Sequence, residues 1–246
     1  MRALVLSGGG ARGLAHIGAL EVFLDQGIAF DLVVGTSMGA IVGALFASGK
    51  TPQEILELAR KTPWLALLGL SPREGIFSRR KLSSFLAEHL PSRFEDLPLP
   101  LVVTSVDLKR GRPLYLQEGE LISAVLASAA YPGLLAPVER EGVLLVDGGV
   151  LDNLPVDAAR FLGAEEVYAV DVSAGFGEEA PPKNLLGVAR RAVDLMQAQL
   201  TAVRLALYPP EVYIRPRLSG VGIEAFGRLE EIYKAGKEAA LSALAG

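Results

Sequence analysis

The 246-residue sequence contains no cysteine, which excludes disulfides, thiolate-bound metals and a cysteine nucleophile. Histidine is nearly absent, with only His16 and His89, so imidazole chemistry has two candidates. Basic charge is not in excess. The 24 Lys and Arg against 28 Asp and Glu leave a net charge of −4, which argues against a nucleic-acid partner, because phosphate contacts supply most non-specific affinity there. Disordered tracts are lacking too: hydrophobic residues make up 50% and charged residues 21%, a globular balance in a chain long enough to bury a large core. No apolar run is a convincing membrane span. Leu32 to Gly49 and Leu121 to Val138 are uncharged, but the first holds Gly35-Thr36-Ser37 and further glycines. The second is broken by Tyr131-Pro132-Gly133 and Pro137, so each reads as two buried elements of a compact domain. Arg2 to Ser7 is strand-like from the start, with no h-region or cleavage site. No signal peptide is expected, and a cytoplasmic protein is the default.

What is present is an alternation. Strand-like pieces cover 2–7, 31–36, 99–106, 142–147, 166–172 and 211–215, and helix-like pieces cover 14–26, 38–48, 52–61, 79–89, 119–129, 155–163, 184–207 and 224–245. This order predicts an α/β fold with a mainly parallel sheet and helices on both faces. No repeat or linker divides the chain, so a single domain over 1–246 is expected.

The most informative stretch is Gly35-Thr36-Ser37-Met38-Gly39. Asp31-Leu32-Val33-Val34 before it favours a buried strand, and Met38 to Ser48 after it reads as a tightly packed helix stopped by Gly49. A G-x-S-x-G turn at such a junction is sharp, because glycine tolerates the close backbone approaches. It pushes the serine Oγ out at the end of the sheet, over a helix N-terminus whose dipole favours developing negative charge. Ser37 is therefore the candidate nucleophile.

Ser7-Gly8-Gly9-Gly10-Ala11-Arg12-Gly13 follows the first strand and opens a helix. Gly8, Gly10 and Gly13 match the dinucleotide fingerprint G-x-G-x-x-G, so a nucleotide-binding oxidoreductase is a serious rival. That fold needs an acidic residue at the C-terminal end of strand two. Asp31 stands at its start, and Ser37 occupies the end. The P-loop reading also fails, since no Gly-Lys-Ser/Thr follows. A plain strand-to-helix turn without a ligand is the remaining alternative. Consecutive glycines before a helix still present backbone N–H groups to an anion. If strands one and two are parallel neighbours, Ser37 faces the donors of Gly8 to Gly10, as in an oxyanion hole.

An alcohol needs a proton acceptor near neutral pH. His16 lies one turn into the first helix and His89 late in a charged helix, and both read better as structural. Asp147 ends the apolar run Gly142 to Val146 and is followed by Gly148-Gly149, leaving a buried strand at a flexible turn. Asp107 and Asp171 lie near strand ends without a glycine pair, and Asp152 reads as a turn or cap. The choice is a Ser37–Asp147 dyad in which burial raises the basicity of the carboxylate.

Two regions are less regular. Trp64 to Leu70, followed by Ser71-Pro72, is apolar and reads as core, as a cap over an apolar pocket or as an interfacial foot, with core favoured. Asn184 to Leu207 carries Arg190, Arg191 and Asp194 among apolar residues and is most simply an amphipathic packing helix.

Together these residues resemble the patatin-like phospholipase family. Gly8-Gly9-Gly10-Ala11-Arg12-Gly13, Gly35-Thr36-Ser37-Met38-Gly39 and Asp147-Gly148-Gly149 stand in that family's order, with His16 and the Ala127-Ser128-Ala129-Ala130-Tyr131-Pro132 segment in matching places. The resemblance extends to about Val172, and the size is that of the short bacterial members. It implies a three-layer α/β/α sandwich and a serine acyl hydrolase acting on fatty-acyl esters such as (lyso)phospholipids. Ser37 would be the nucleophile and Asp147 the base, and Gly8, Gly9, Gly10 and Arg12 would form or support the oxyanion hole. No metal or cofactor and no obligate protein partner is called for. A transient peripheral contact at the inner face of a membrane suits such a substrate, though no basic amphipathic patch demands it. A non-catalytic lipid-binding or regulatory protein that keeps the fold is the alternative.

Overall fold

The computed structural model describes residues 1–67, 79–173 and 180–246. One mixed sheet has the order β5-β6-β3-β2-β1-β7-β8, with β4 on a further edge of β3. The parallel strands are β1 (Arg2–Leu6), β2 (Leu32–Thr36), β3 (Leu101–Asp107), β7 (Glu166–Val170) and β8 (Val212–Ile214). Two strands were not evident from sequence: β4 (Arg112–Leu116) and β5 (Val138–Arg140), both antiparallel to their neighbours. β5 is too short to show alternation. β4 contains Pro113, which is tolerated because the strand lies on an edge. β6 (Val143–Asp147) also runs antiparallel to β3.

Alternate residues of the central strands feed two cores. Leu4, Leu6 and Val33 pack under α1 (Ala15–Asp25), α2 (Met38–Ala47) and α9 (Leu229–Leu244), whereas Ala3, Val5, Leu32 and Val34 pack under α7 (Val156–Phe161) and the end of α8 (Leu185–Leu207). Both faces are buried, so the central strands read as continuous apolar runs. This is an α/β/α sandwich. Helix α1 crosses α9 through two glycines: a Cβ on Gly18 would collide with the Tyr233 carbonyl, and one on Gly236 with the Ala15 carbonyl. The remaining helices are α3 (Pro52–Lys61), α4 (Trp64–Leu67), α5 (Arg79–His89) and α6 (Leu121–Ser128). Trp64 is buried and stacks on Phe226 at 4.9 Å. Leu68 to Pro72 lie outside the described residues.

Helix α8 forms where expected, with the Asn184 side chain accepting the Gly187 N–H at 2.8 Å, but it is turned the opposite way from a packing helix. Its buried residues are Ala198 and Thr201. Arg190, Gln197 and Arg204 point inward because each finds a partner there: Glu224, the Gly149 carbonyl and the Asp157 carboxylate. Most of its large apolar side chains are left outside.

Candidate active site

The register of β3 brings the two motif-bearing strands together. Val103 and Thr104 pair with β2 on one edge and β4 on the other. Ser105 to Asp107 keep β4 and take up β6, so β6 occupies the edge that β2 has just vacated. The two strands meet end to end, with Thr36 opposite Thr104 and Asp147 opposite Ser105. Ser37 and Asp147 leave their strands at this junction.

Ser37 has φ 54° and ψ −123°, a left-handed conformation that costs a non-glycine residue about 1–3 kcal/mol. The turn is held by close packing. A Cβ on Gly35 would lie 2.5 Å from the Gly39 carbonyl oxygen, and one on Gly39 would strike the Leu6 carbonyl. The Ser37 N–H donates to Ser128 Oγ at 2.8 Å, and Ser128 donates onward to the Thr104 carbonyl at 2.6 Å. The Ser37 carbonyl accepts from Ala40 and Ile41 in the first turn of α2. With its backbone groups engaged, the strained residue keeps its hydroxyl on the cavity side.

Asp147 is 2% exposed. Its Oδ1 accepts the Gly149 N–H at 2.7 Å, while among the described residues Oδ2 has no partner at hydrogen-bond distance. Burial pushes its pKa up to about 7, against the pull of the Gly149 N–H and, more weakly and at longer range, the Ser37 hydroxyl. The glycine pair after it is sterically required: a Cβ on Gly148 would overlap the Thr104 carbonyl, and one on Gly149 would lie 2.8 Å from Asn153 Oδ1.

The glycine loop faces this pair. Gly10 has φ +59°, and a Cβ there would lie 2.6 Å from the Ile223 carbonyl, which accepts the Ala11 N–H at 2.8 Å. Among the described residues, no protein acceptor takes up the amides of Gly8, Gly9 or Gly10. The buried Arg12 is a brace. Its guanidinium donates to the carbonyls of Val172, Val221 and Ser173 at 2.7, 3.0 and 3.0 Å, tying the loop to the segment after β7 and to the turn before α9. Asn153, which sequence reasoning did not single out, donates to the Gly8 carbonyl at 3.3 Å.

Neither histidine lines the cavity. His16 is fully buried, its Nε2 2.7 Å from the Ser7 carbonyl, and burial lowers its pKa to about 4. It is neutral near pH 7 and fastened to the loop backbone. His89 packs against Phe85 at 4.8 Å. The other aspartates are occupied too. Asp107 caps its turn through Lys109 and Arg110, and Asp171 accepts from Ser173 and Tyr213. Asp152 is buried and accepts the Tyr115 hydroxyl at 2.6 Å, and the helix after it is capped at Pro155 instead. Asp31 accepts the Arg2 N–H at 2.7 Å at the opposite end of the strands from the glycine loop, leaving a dinucleotide without its ribose-binding acid. Among the described residues no group of three or more His, Asp or Glu gathers to hold a metal.

One cavity of about 310 Å³ joins these parts, lined by Gly8, Gly9, Gly10, Arg12, Ser37 and Asp147. Its apolar wall includes Met38, Ile41, Trp64, Leu82, Leu135 and Phe226. Its polar wall comes from Tyr131, Glu224 and three residues of α8, Arg190, Asp194 and Gln197. The Tyr131 hydroxyl meets Asp194 at 3.1 Å and Arg190 meets Glu224 at 2.9 Å. Spacing four and then three residues apart placed the α8 trio on one helix face, but nothing local marked that face as inward.

A half-buried serine on a strand-to-helix elbow, a buried carboxylate at the end of the strand that abuts it and a glycine loop facing both define a class of α/β proteins. The comparisons name the class. The family profile described as patatin-like phospholipase matches residues 4–160, and the chain belongs to that family. It is 31% identical over 264 aligned residues to lysophospholipase nte1 of Aspergillus fumigatus, covering 95% of this chain and 17% of that protein. It is 36% identical over 185 residues to an uncharacterized NTE family protein of Mycobacterium bovis, covering 73% of this chain and 50% of that one. The chain thus spans half or less of the length of these relatives. Among solved structures, VipD from Legionella pneumophila superposes with a TM-score of 0.57 at 18% identity, over 99% of this chain and 66% of that one. ExoU of Pseudomonas aeruginosa, in complex with SpcU, gives 0.52 at 18%, over all of this chain and 53% of that one. These likenesses concern the fold.

Proposed function

We propose that this chain is a serine acyl hydrolase that cleaves fatty-acyl esters of (lyso)phospholipids or related lipids. Ser37 is the nucleophile and Asp147 its base. The carboxylate takes the hydroxyl proton as Oγ attacks the ester carbonyl. Amides of Gly8, Gly9 and Gly10 receive the oxyanion, and Arg12 holds that loop in place. The alcohol leaves with the proton from Asp147, and water attacks the acyl-enzyme by the reverse path. The observation that carries this reading is the unpartnered Oδ2 of a nine-tenths-buried aspartate on the same cavity as the strained Ser37. A base with a pKa near the working pH is efficient. The apolar wall suits an acyl chain, whose burial is worth about 0.8 kcal/mol per CH₂.

The test is hydrolysis of p-nitrophenyl esters from acetyl to palmitoyl by wild type and Ser37→Ala. Turnover that peaks at a defined chain length and falls by about 10³-fold or more in the variant is expected. Ser37-independent turnover would overturn the assignment of the nucleophile, and none at any length would overturn the proposal in favour of a lipid-binding protein that retains the fold.

A further inference from the structure

Away from the cavity, α8 has an unusual distribution of side chains. Every exposed position from Leu185 to Leu207 is apolar except Gln199, and none is charged. Leu185 is 86% exposed, Met196 60% and Leu207 68%. Its charged residues are inward or flanking, with Arg190 paired to Glu224 and Arg204 to Asp157. The stripe of Leu185, Val188, Ala192, Met196, Val203 and Leu207 lies along one side of the helix at three- and four-residue steps, with Gln199 between Met196 and Val203. At its C-terminal end stands Phe161, 75% exposed, with its ring 5.6 Å from Tyr208.

We infer that the outward face of α8 docks onto a lipid bilayer, with the helix lying in the interfacial plane. The helix is 23 residues long, about 34 Å by about 10 Å in footprint, or on the order of 350 Å². That is less than half of the ~800 Å² per partner of a stable protein interface, so pairing with a second copy through this helix alone falls short. A contiguous apolar face of this size matches the largest patch on a typical monomer, which is often a functional surface. Among the described residues no helix is long and apolar enough to cross a membrane, and the inward charges of α8 bar it from doing so. Lying on the surface needs only the apolar face. Continuity with the site favours the same occupant, because the opposite side of α8 supplies Arg190, Asp194 and Gln197 to the cavity wall. A docked helix would keep that cavity about one helix diameter, ~10 Å, from its lipid source, and this choice of occupant rests in part on the acyl-hydrolase reading. The face is uncharged and the chain carries a net charge of −4, so attachment is hydrophobic rather than electrostatic.

The experiment is co-sedimentation with phosphatidylcholine vesicles, comparing wild type with the double variant Met196→Glu/Val203→Glu, alongside light scattering and p-nitrophenyl butyrate turnover. Wild type is expected to pellet with zwitterionic vesicles at low and high salt alike, and the variant to bind about tenfold more weakly or worse. Turnover of the soluble ester should be equal in both, since neither residue lines the cavity. Wild type that stays in solution, or a variant that binds as well as wild type, overturns the inference. So does a wild-type dimer that the double variant dissociates while vesicles bind neither. If neither protein turns over the ester while circular dichroism shows both folded, the hydrolase reading fails and the vesicle result still decides docking.

Discussion

Asp147 combines two properties that an ordinary carboxylate does not: it is almost wholly buried, and one of its oxygens has no partner among the described residues. Burial raises its pKa to about 7, so the charged, base-competent form accumulates only as pH rises through that value. The kcat/KM of the wild type is therefore expected to climb along a single acid limb with a midpoint near pH 7. His16→Gln should leave the limb where it is, because His16, with a pKa near 4, is already neutral across that range. A profile that is flat from about pH 5 to about pH 9 would contradict the assignment. The sign for stability is opposite to that of a salt-bridged aspartate. The folded state holds the Asp147 proton more tightly than the unfolded chain, so its contribution weakens as pH rises from the usual carboxylate range to about 7. Asp147→Asn keeps the oxygen that accepts from Gly149 and removes the buried charge. It should stabilise the fold above pH 7, by on the order of 4 kcal/mol at most, and leave stability nearly unchanged in acid. Thermal melts at the two pH extremes check this, and equal effects at both would refute it.

Among the elements, those whose geometry depends on glycine were the most legible. The elbow and the glycine loop could be read because a missing Cβ is visible in sequence and has few physical explanations. Gly35, Gly39 and Gly10 each meet backbone where a Cβ would stand. The same logic at the α1–α9 crossing could not be applied in advance, since Gly18 and Gly236 lie within helical patterns and only the fold brings them together. Gly236→Ala should cost about 1–3 kcal/mol by forcing the helices apart, while leaving the ester specificity of the folded fraction unchanged. Chemical denaturation with parallel kinetics measures both, and a variant as stable as wild type would show that the crossing is not tight. For α8, periodicity revealed an amphipathic helix but not which face turns inward. That depended on acceptors distant in sequence, namely Glu224, the Gly149 carbonyl and Asp157. β4 and β5 were hidden by a proline and by brevity.

At the scale of the molecule, the site is a consequence of topology. β2 and β6 run in opposite directions and abut along one edge of β3, so two turns more than a hundred residues apart in sequence open toward each other. The motifs pointed to Ser37 and Asp147 individually, but their approach needed the antiparallel β6, which a purely parallel sheet would not supply. The roles of Asn153 and Ser128 as braces likewise appear only once the loop, the elbow and the glycine pair share one cavity. The central claim is that this cavity activates Ser37 through Asp147. Its most direct test is labelling with a long-chain fluorophosphonate, which phosphonylates an activated serine, read by intact mass and peptide mapping in wild type and Asp147→Asn. The account requires a single adduct on Ser37, forming faster as pH rises past about 7 and at least about a hundredfold more slowly in the variant. An adduct on another residue, or equal labelling of Ser37 in both proteins, would contradict it.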